Sequence, residues 1–156
     1  MNKNTAVIQK DGSMSSVSGK SSFEKSQSKK IAYKRDPKGP RKILVVDDDP
    51  SILDAISMLL EDEGYYVDTS TDGKRITSMK ENLPDLFLLD IWMSGIDGRD
   101  ICRYLKSKHQ TKEIPVIMIS ATKDAGVSAL QAGADDFIAK PFEMDELLRK
   151  IKLHTN

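Results

Sequence analysis

From residue 42 onward, short continuous apolar runs alternate with stretches whose apolar residues recur every three or four positions. Ile43-Leu44-Val45-Val46, Leu86-Phe87-Leu88-Leu89 and Val116-Ile117-Met118-Ile119 are such runs. Their length and polar bounds predict strands buried on both faces. Residues 42–46, 65–69, 86–90, 116–120 and 136–139 are the predicted strands. Between the first two, Asp49 can cap a helix with Pro50 in its first position. Ile52, Leu53, Ile56, Leu59 and Leu60 then share one helix face, and Gly64 is the expected left-handed stop. Thr71-Asp72-Gly73 opens a second helix, which Pro84 forbids from continuing. Residues 94–98 read as a loop, and 99–108 as a helix with Ile101, Cys102 and Leu105 inward. A short helix is expected between Asp124 and Gln131, ended by Gly133, and a last one after Phe142-Glu143-Met144-Asp145 with Leu147, Leu148 and Ile151 apolar. Alternating strand–helix units predict an α/β fold, a parallel sheet with helices on both faces, because crossovers are right-handed.

The polar residues that end these runs carry the candidate chemistry. Asp47 and Asp48 follow the first strand, Asp90 ends the third, Ser120 ends the fourth, and Lys140 follows the fifth. In an open parallel sheet, ligands bind at the carboxyl ends of the strands. Three carboxylates gathered there repel one another unless a cation joins them, and oxygen donors suit Mg²⁺ best. Acids after strands also serve as helix caps, which is the reading for Asp49, and Asp97 and Asp100 suit the loop and the start of the third helix. His109 and His154 lack partners at ligand spacing and are expected to be solvated; Cys102 reads as a small core residue.

In these residues the sequence resembles the receiver domain of two-component response regulators, of the stand-alone, chemotaxis-regulator-like kind. The resemblance rests on Val46-Asp47-Asp48-Asp49-Pro50, on the stretch from Leu89-Asp90-Ile91 to Gly98, on Met118-Ile119-Ser120-Ala121, and on the stretch from Ala132-Gly133 to Lys140-Pro141-Phe142. It covers roughly residues 41–154. It implies a doubly wound, flavodoxin-like (βα)5 fold with five parallel strands in the order 2-1-3-4-5. It also implies that Asp90 is the phosphoacceptor and that Asp48, Asp90 and the Trp92 backbone carbonyl ligate Mg²⁺, with Asp47 acting through a water. Lys140 and Ser120 would pair with phosphoryl oxygens, and Ser120 and Phe137 would be the switch residues. A cis peptide between Lys140 and Pro141 is expected as well.

The chain departs from the family pattern in four places. Ser94 stands where a proline is usual, which implies a looser loop. Trp92 is a large residue two positions after Asp90; it is expected to cross the mouth of the site and hinder water, the alternative being a position over the third helix. With Thr122, it occupies one of the two positions that tune dephosphorylation in this family. Phe137 lacks a hydroxyl. Ser120 and Lys140 are two residues closer than usual, so the fourth helix or the loop before it must be short and no standard dimer is inferred.

Composition adds an asymmetry. The formal net charge is zero over 156 residues, but residues 1–42 hold 11 Lys and Arg against 3 Asp and Glu. Residues 43–156 hold 13 against 21. Residues 1–40 are rich in Ser, Lys, Gly and Asn without a sustained period, so they read as a disordered basic arm before a domain at 41–156. A solvated tail is favoured over a nucleic-acid-binding one, since Phe23 and Tyr33 are its aromatic residues. The single cysteine and the lack of a long apolar stretch fit a cytoplasmic protein without a membrane partner.

The function expected is a non-enzymatic phosphorylation switch that assists its own phosphorylation and dephosphorylation. A sensor histidine kinase or histidine phosphotransfer protein would be the donor. With no output domain expected after the last helix, a partner protein or a phosphorelay would carry the signal. The alternatives are a phosphorylation-independent binding module, and a metal-dependent phosphatase, against which stands Trp92 in the place of a second aspartate.

Overall fold

The computed structural model describes residues 39–156. Its main strands are β1 (Lys42–Val46), β2 (Tyr66–Ser70), β3 (Leu86–Asp90), β6 (Val116–Ser120) and β7 (Asp136–Ala139). Two short strands, β4 (Trp92–Met93) and β5 (Ile96–Asp97), form an antiparallel hairpin between β3 and the third helix. The helices are α1 (Pro50–Asp62), α2 (Lys74–Ser78), α3 (Gly98–Ser107), α4 (Ala125–Gln131) and α5 (Met144–Thr155). All main strands pair in parallel, in the order β2-β1-β3-β6-β7. Counting the main strands alone, this is the expected order 2-1-3-4-5. The expected disordered arm falls almost wholly outside the described residues.

Strand alternation divides the apolar residues between two cores. Leu44, Val46, Phe87, Leu89, Val116 and Met118 meet Ile76 of α2, Ile101, Cys102 and Leu105 of α3 and Ala129 of α4. Ile43, Val45, Leu86, Leu88, Ile117, Ile119 and Ile138 meet Leu53, Ile56 and Leu60 of α1 and Leu147 and Ile151 of α5. β1, β3 and β6 are therefore buried at every position, since both faces are covered. Cys102 lies fully buried, and burial pushes its thiol up to about 11, as suits a packing residue.

Local chemistry sets the element ends. Asp49 caps α1 by accepting from the Ser51 N–H at 2.8 Å, with Pro50 in the first helical turn. Gly64 stops it at φ +87°, and the Tyr65 N–H turns back to the Leu60 carbonyl at 3.0 Å. That bond uses the amide of Tyr65, so β2 starts at Tyr66 and not at residue 65. α2 ends at Ser78, well before Pro84. The Thr77 and Ser78 hydroxyls bond back to the carbonyls of Lys74 and Arg75 at 2.9 and 2.8 Å, and the chain turns extended at Met79. α4 has seven residues, short as the Ser120–Lys140 spacing requires. The hairpin occupies what reads as loop in the sequence; Gly95 makes its turn at φ +76°. Two-residue strands are too brief to show a period.

Beyond the two cores, a polar cluster and a close backbone approach tie elements together. At the start of β7, Asp136 accepts from Lys150 and from the Phe137 N–H, and lies 3.2 Å from His154 Nε2. His154 is therefore paired with a carboxylate, which corrects the solvated reading; α5 winds it onto a partner 18 positions back in sequence. Burial alone would raise the Asp136 carboxyl, but those hydrogen bonds outweigh it and hold the group below its ordinary value. At the start of α3, Gly98 packs directly on β3: a Cβ there would lie 2.3 Å from the Asp90 carbonyl oxygen.

Because the folded carboxyl of Asp136 is depressed, its stabilisation is present above the unfolded value and lost as pH falls through the folded one. Asp136→Asn is expected to cost roughly 1 kcal/mol at pH 7. The gap between variant and wild type should close on acidification below the ordinary carboxylate range; urea unfolding at several pH values measures this. Gly98→Ala is expected to lower the melting temperature by roughly 5 °C or more, from a clash with backbone that cannot swing aside. Thermal unfolding followed by circular dichroism checks it.

Candidate functional site

The candidate residues lie at the carboxyl edge of the sheet, where β1, β3, β6 and β7 end side by side. Asp47, Asp48 and Asp90 each place a carboxylate oxygen within 4.8 Å of the others. Asp47 and Asp90 are buried and Asp48 is exposed. Lys140 reaches in from the end of β7; its ammonium donates to Asp47 Oδ2 at 2.7 Å and to Asp90 Oδ1 at 3.0 Å. Its backbone N–H donates to the Ser120 carbonyl at 2.7 Å, continuing the β6–β7 ladder beyond the strand. The peptide between Lys140 and Pro141 is cis, as expected. Ser120 is fully buried, and its hydroxyl oxygen accepts from the Thr122 N–H at 3.1 Å.

Burial raises the Asp90 carboxyl above its ordinary value; Lys140 opposes the shift, and the charges of Asp47 and Asp48 add to it. Of the effects that raise it, desolvation is the larger and repulsion the smaller. For Lys140, burial would lower the ammonium, but the hydrogen bonds to Asp47 and Asp90 outweigh it and hold the pKa up. Asp48 sits below its ordinary value because the Ser94 hydroxyl and N–H both donate to it.

Those two bonds, at 2.7 and 2.9 Å, converge on Asp48 Oδ2. They correct the expectation of a looser loop. A serine supplies an N–H and a hydroxyl where proline would supply neither, and it ties the hairpin turn to the end of β1. The signal was in the sequence, since a hydroxyl replaced a ring beside an acid cluster, but only the fold shows which acid it meets.

Trp92 is 54% exposed, and its indole lies 4.8 Å from the guanidinium of Arg99, at the start of α3. This contact matches the alternative placement over the third helix and corrects the expected one across the mouth of the site. Asp97 caps α3 by accepting from the Arg99 N–H at 2.9 Å, and it also binds the Arg99 side chain, which holds the carboxyl below its ordinary value. Phe137 is half-buried on β7, with its ring against Gly126 of α4; a Cβ at Gly126 would sit 3.1 Å from it. Gly98 and Arg99 are the residues of this region that a reading of motifs passes over.

A convergent set of three acids, one ammonium and one hydroxyl can neutralise an anion and hold a hard cation at the same edge. Among the described residues no helix is long and apolar enough to cross a membrane. The response regulator receiver domain family matches residues 43–152. The DNA-binding response regulator MtrA of Mycolicibacterium smegmatis is 37% identical over 115 residues, covering 72% of this chain and 49% of the relative. The chain thus spans about half the length of the curated relatives it matches. DNA binding is stated of that relative, of which this chain matches about half. Among solved structures, the receiver domain of NtrX from Brucella abortus is 37% identical, with a TM-score of 0.66 over 72% of this chain and 97% of that one. The receiver domain of the sensor histidine kinase PA1611 from Pseudomonas aeruginosa was solved with a magnesium ion coordinated in its active site cleft. It is 28% identical, with a TM-score of 0.68 over 75% of this chain and 98% of that one. By sequence and by fold, the chain belongs to the response regulator receiver domain family.

Proposed function

We propose that the chain is a phosphorylation-dependent switch, with Asp90 as phosphoacceptor and residues 41–156 as the signalling unit. The observation that carries this reading is the Lys140 ammonium held between Asp47 and Asp90, at 2.7 and 3.0 Å. It places a fixed positive charge against the carboxylate that would receive the phosphoryl group.

The donor is a phosphohistidine of a sensor kinase or phosphotransfer protein. An Asp90 carboxylate oxygen attacks phosphorus, the new O–P bond forms as the P–N bond breaks, and the electron pair leaves with the imidazole nitrogen. Charge in the transition state spreads over three equatorial oxygens, so the residues contribute by position and neutralisation. Lys140 pairs with one of these oxygens, and the Ser120 hydroxyl donates to another. The acid cluster fits Mg²⁺, with all-oxygen donors within 4.8 Å of one another. Asp48, Asp90 and the Trp92 carbonyl would hold it directly and Asp47 through water. Bound there, the ion would supply charge neutralisation between the carboxylates and the phosphoryl oxygens. After transfer, the Ser120 hydroxyl turns from the Thr122 amide to the phosphate, and Phe137 and α4 adjust. Phosphate then favours one of two states by its differential contacts.

Incubation with acetyl phosphate and Mg²⁺ separates this reading from the alternatives. Stoichiometric, slowly decaying labelling supports the switch. Absence of labelling favours a binding module, and sustained turnover favours a phosphatase.

Asp90→Asn should abolish labelling and, without Mg²⁺, melt a few degrees higher than wild type. A carboxyl raised by the fold contributes stability only below its unfolded value and loses it as pH rises through the folded one. Above that folded value the wild type has lost the contribution and the asparagine has not. Differential scanning calorimetry in EDTA tests the sign; a lower melting temperature contradicts it. Asp48→Ala should weaken Mg²⁺ binding most among Asp47 and Asp48, by roughly ten-fold, or about 1.4 kcal/mol. A titration read by Trp92 fluorescence checks the ranking.

A further inference from the structure

Two chains of contact leave the acid cluster on opposite sides and meet at Arg99. On one side, Asp48 holds Ser94 in the hairpin turn, and the hairpin pairs Trp92 with Asp97. The Asp97 carboxylate takes Arg99 Nε at 2.9 Å and Nη2 at 2.6 Å, and the Trp92 ring lies on the guanidinium. On the other side, the Ser120 hydroxyl oxygen accepts from the Thr122 N–H, and the Thr122 carbonyl accepts from the Ala125 N–H at the start of α4, at 3.0 Å. One turn along, Ser128 donates to the Ala125 carbonyl at 2.9 Å and accepts from Arg99 Nη1 at 3.2 Å. Arg99 thus joins the hairpin beyond Asp90 to the helix beyond Ser120. A planar fork with three separately directed nitrogens and a stacking face can make these contacts together; an ammonium cannot.

We propose that Arg99 is a positioning residue whose bond to Ser128 latches α4 to the hairpin and opposes the phosphoryl-bound state. This rests on the reading of Asp90 as phosphoacceptor. When the Ser120 hydroxyl pairs with a phosphoryl oxygen, it leaves the Thr122 amide. The Thr122 carbonyl, on the next peptide, accepts from the first N–H of α4, so the start of the helix shifts and Ser128 parts from Arg99. Loss of the latch then costs part of the phosphoryl binding energy. By linkage, removing the latch beforehand raises the affinity for the phosphoryl group by the corresponding factor.

The test uses the full chain with beryllofluoride, a phosphoryl mimic, and Mg²⁺ in isothermal titration. Ser128→Ala should bind beryllofluoride about five-fold tighter than wild type, a gain of roughly 1 kcal/mol. Arg99→Lys, which keeps the charge and loses the fork, should show a similar gain. The double variant should gain no more than Arg99→Lys alone, because both remove one contact. A residue with a merely structural role would weaken binding or leave it unchanged when altered. Unchanged or weaker binding by Ser128→Ala, or additive gains in the double variant, overturns the latch. Failure of wild type to bind beryllofluoride overturns the phosphoacceptor reading, and the latch with it.

Discussion

Everything at the carboxyl edge depends on one ammonium. Asp47 and Asp90 are buried within a few ångströms of each other, and two desolvated like charges at that spacing oppose folding. Lys140 donates to both. A buried ion pair of this kind is weak support for stability, since desolvation of each group offsets most of the attraction. Its effect is to hold the two carboxylates in one place. The Asp90 carboxyl nevertheless stays above its ordinary value, because burial outweighs the pairing with Lys140.

The sheet makes this arrangement possible. β1, β3, β6 and β7 carry their functional residues at or just past the last ladder position, and both faces of the sheet are packed. The strand ends are thereby fixed to within a side chain's reach. The loops beyond them take up their own local ties: Asp49 to Asp47 Oδ1 at 2.9 Å, Ser94 to Asp48, and Gly98 to the Ile91 carbonyl at 2.7 Å. Each of these bonds uses a backbone N–H that would otherwise lack an intrahelical or ladder partner.

β1, β3 and β6 were legible in the sequence because their apolar runs are continuous and bounded by polar residues. Asp47, Asp48, Asp90 and Lys140 were legible as a group because strand ends in a parallel sheet converge. What escaped was local. The β4–β5 hairpin is too short to have a period, and α2 is cut short by hydroxyls that bond back to its own carbonyls. The pairing of His154 with Asp136, the Ser94 bonds to Asp48 and the place of the Trp92 indole on Arg99 depend on which elements pack together. No spacing rule encodes such contacts. Gly98 reads as an ordinary glycine after an aspartate, and only its approach to the Asp90 carbonyl gives it a reason to be one.

The central claim is that this lysine-held acid cluster takes a phosphoryl group on one particular carboxylate. Reduction of the phosphodonor-treated protein with borohydride converts an acyl phosphate to an alcohol, and peptide mass spectrometry then locates it. The account predicts homoserine at position 90 in the wild-type chain. Homoserine at position 47 or 48 instead, or aspartate retained at all three positions in a protein that carries label, would contradict it.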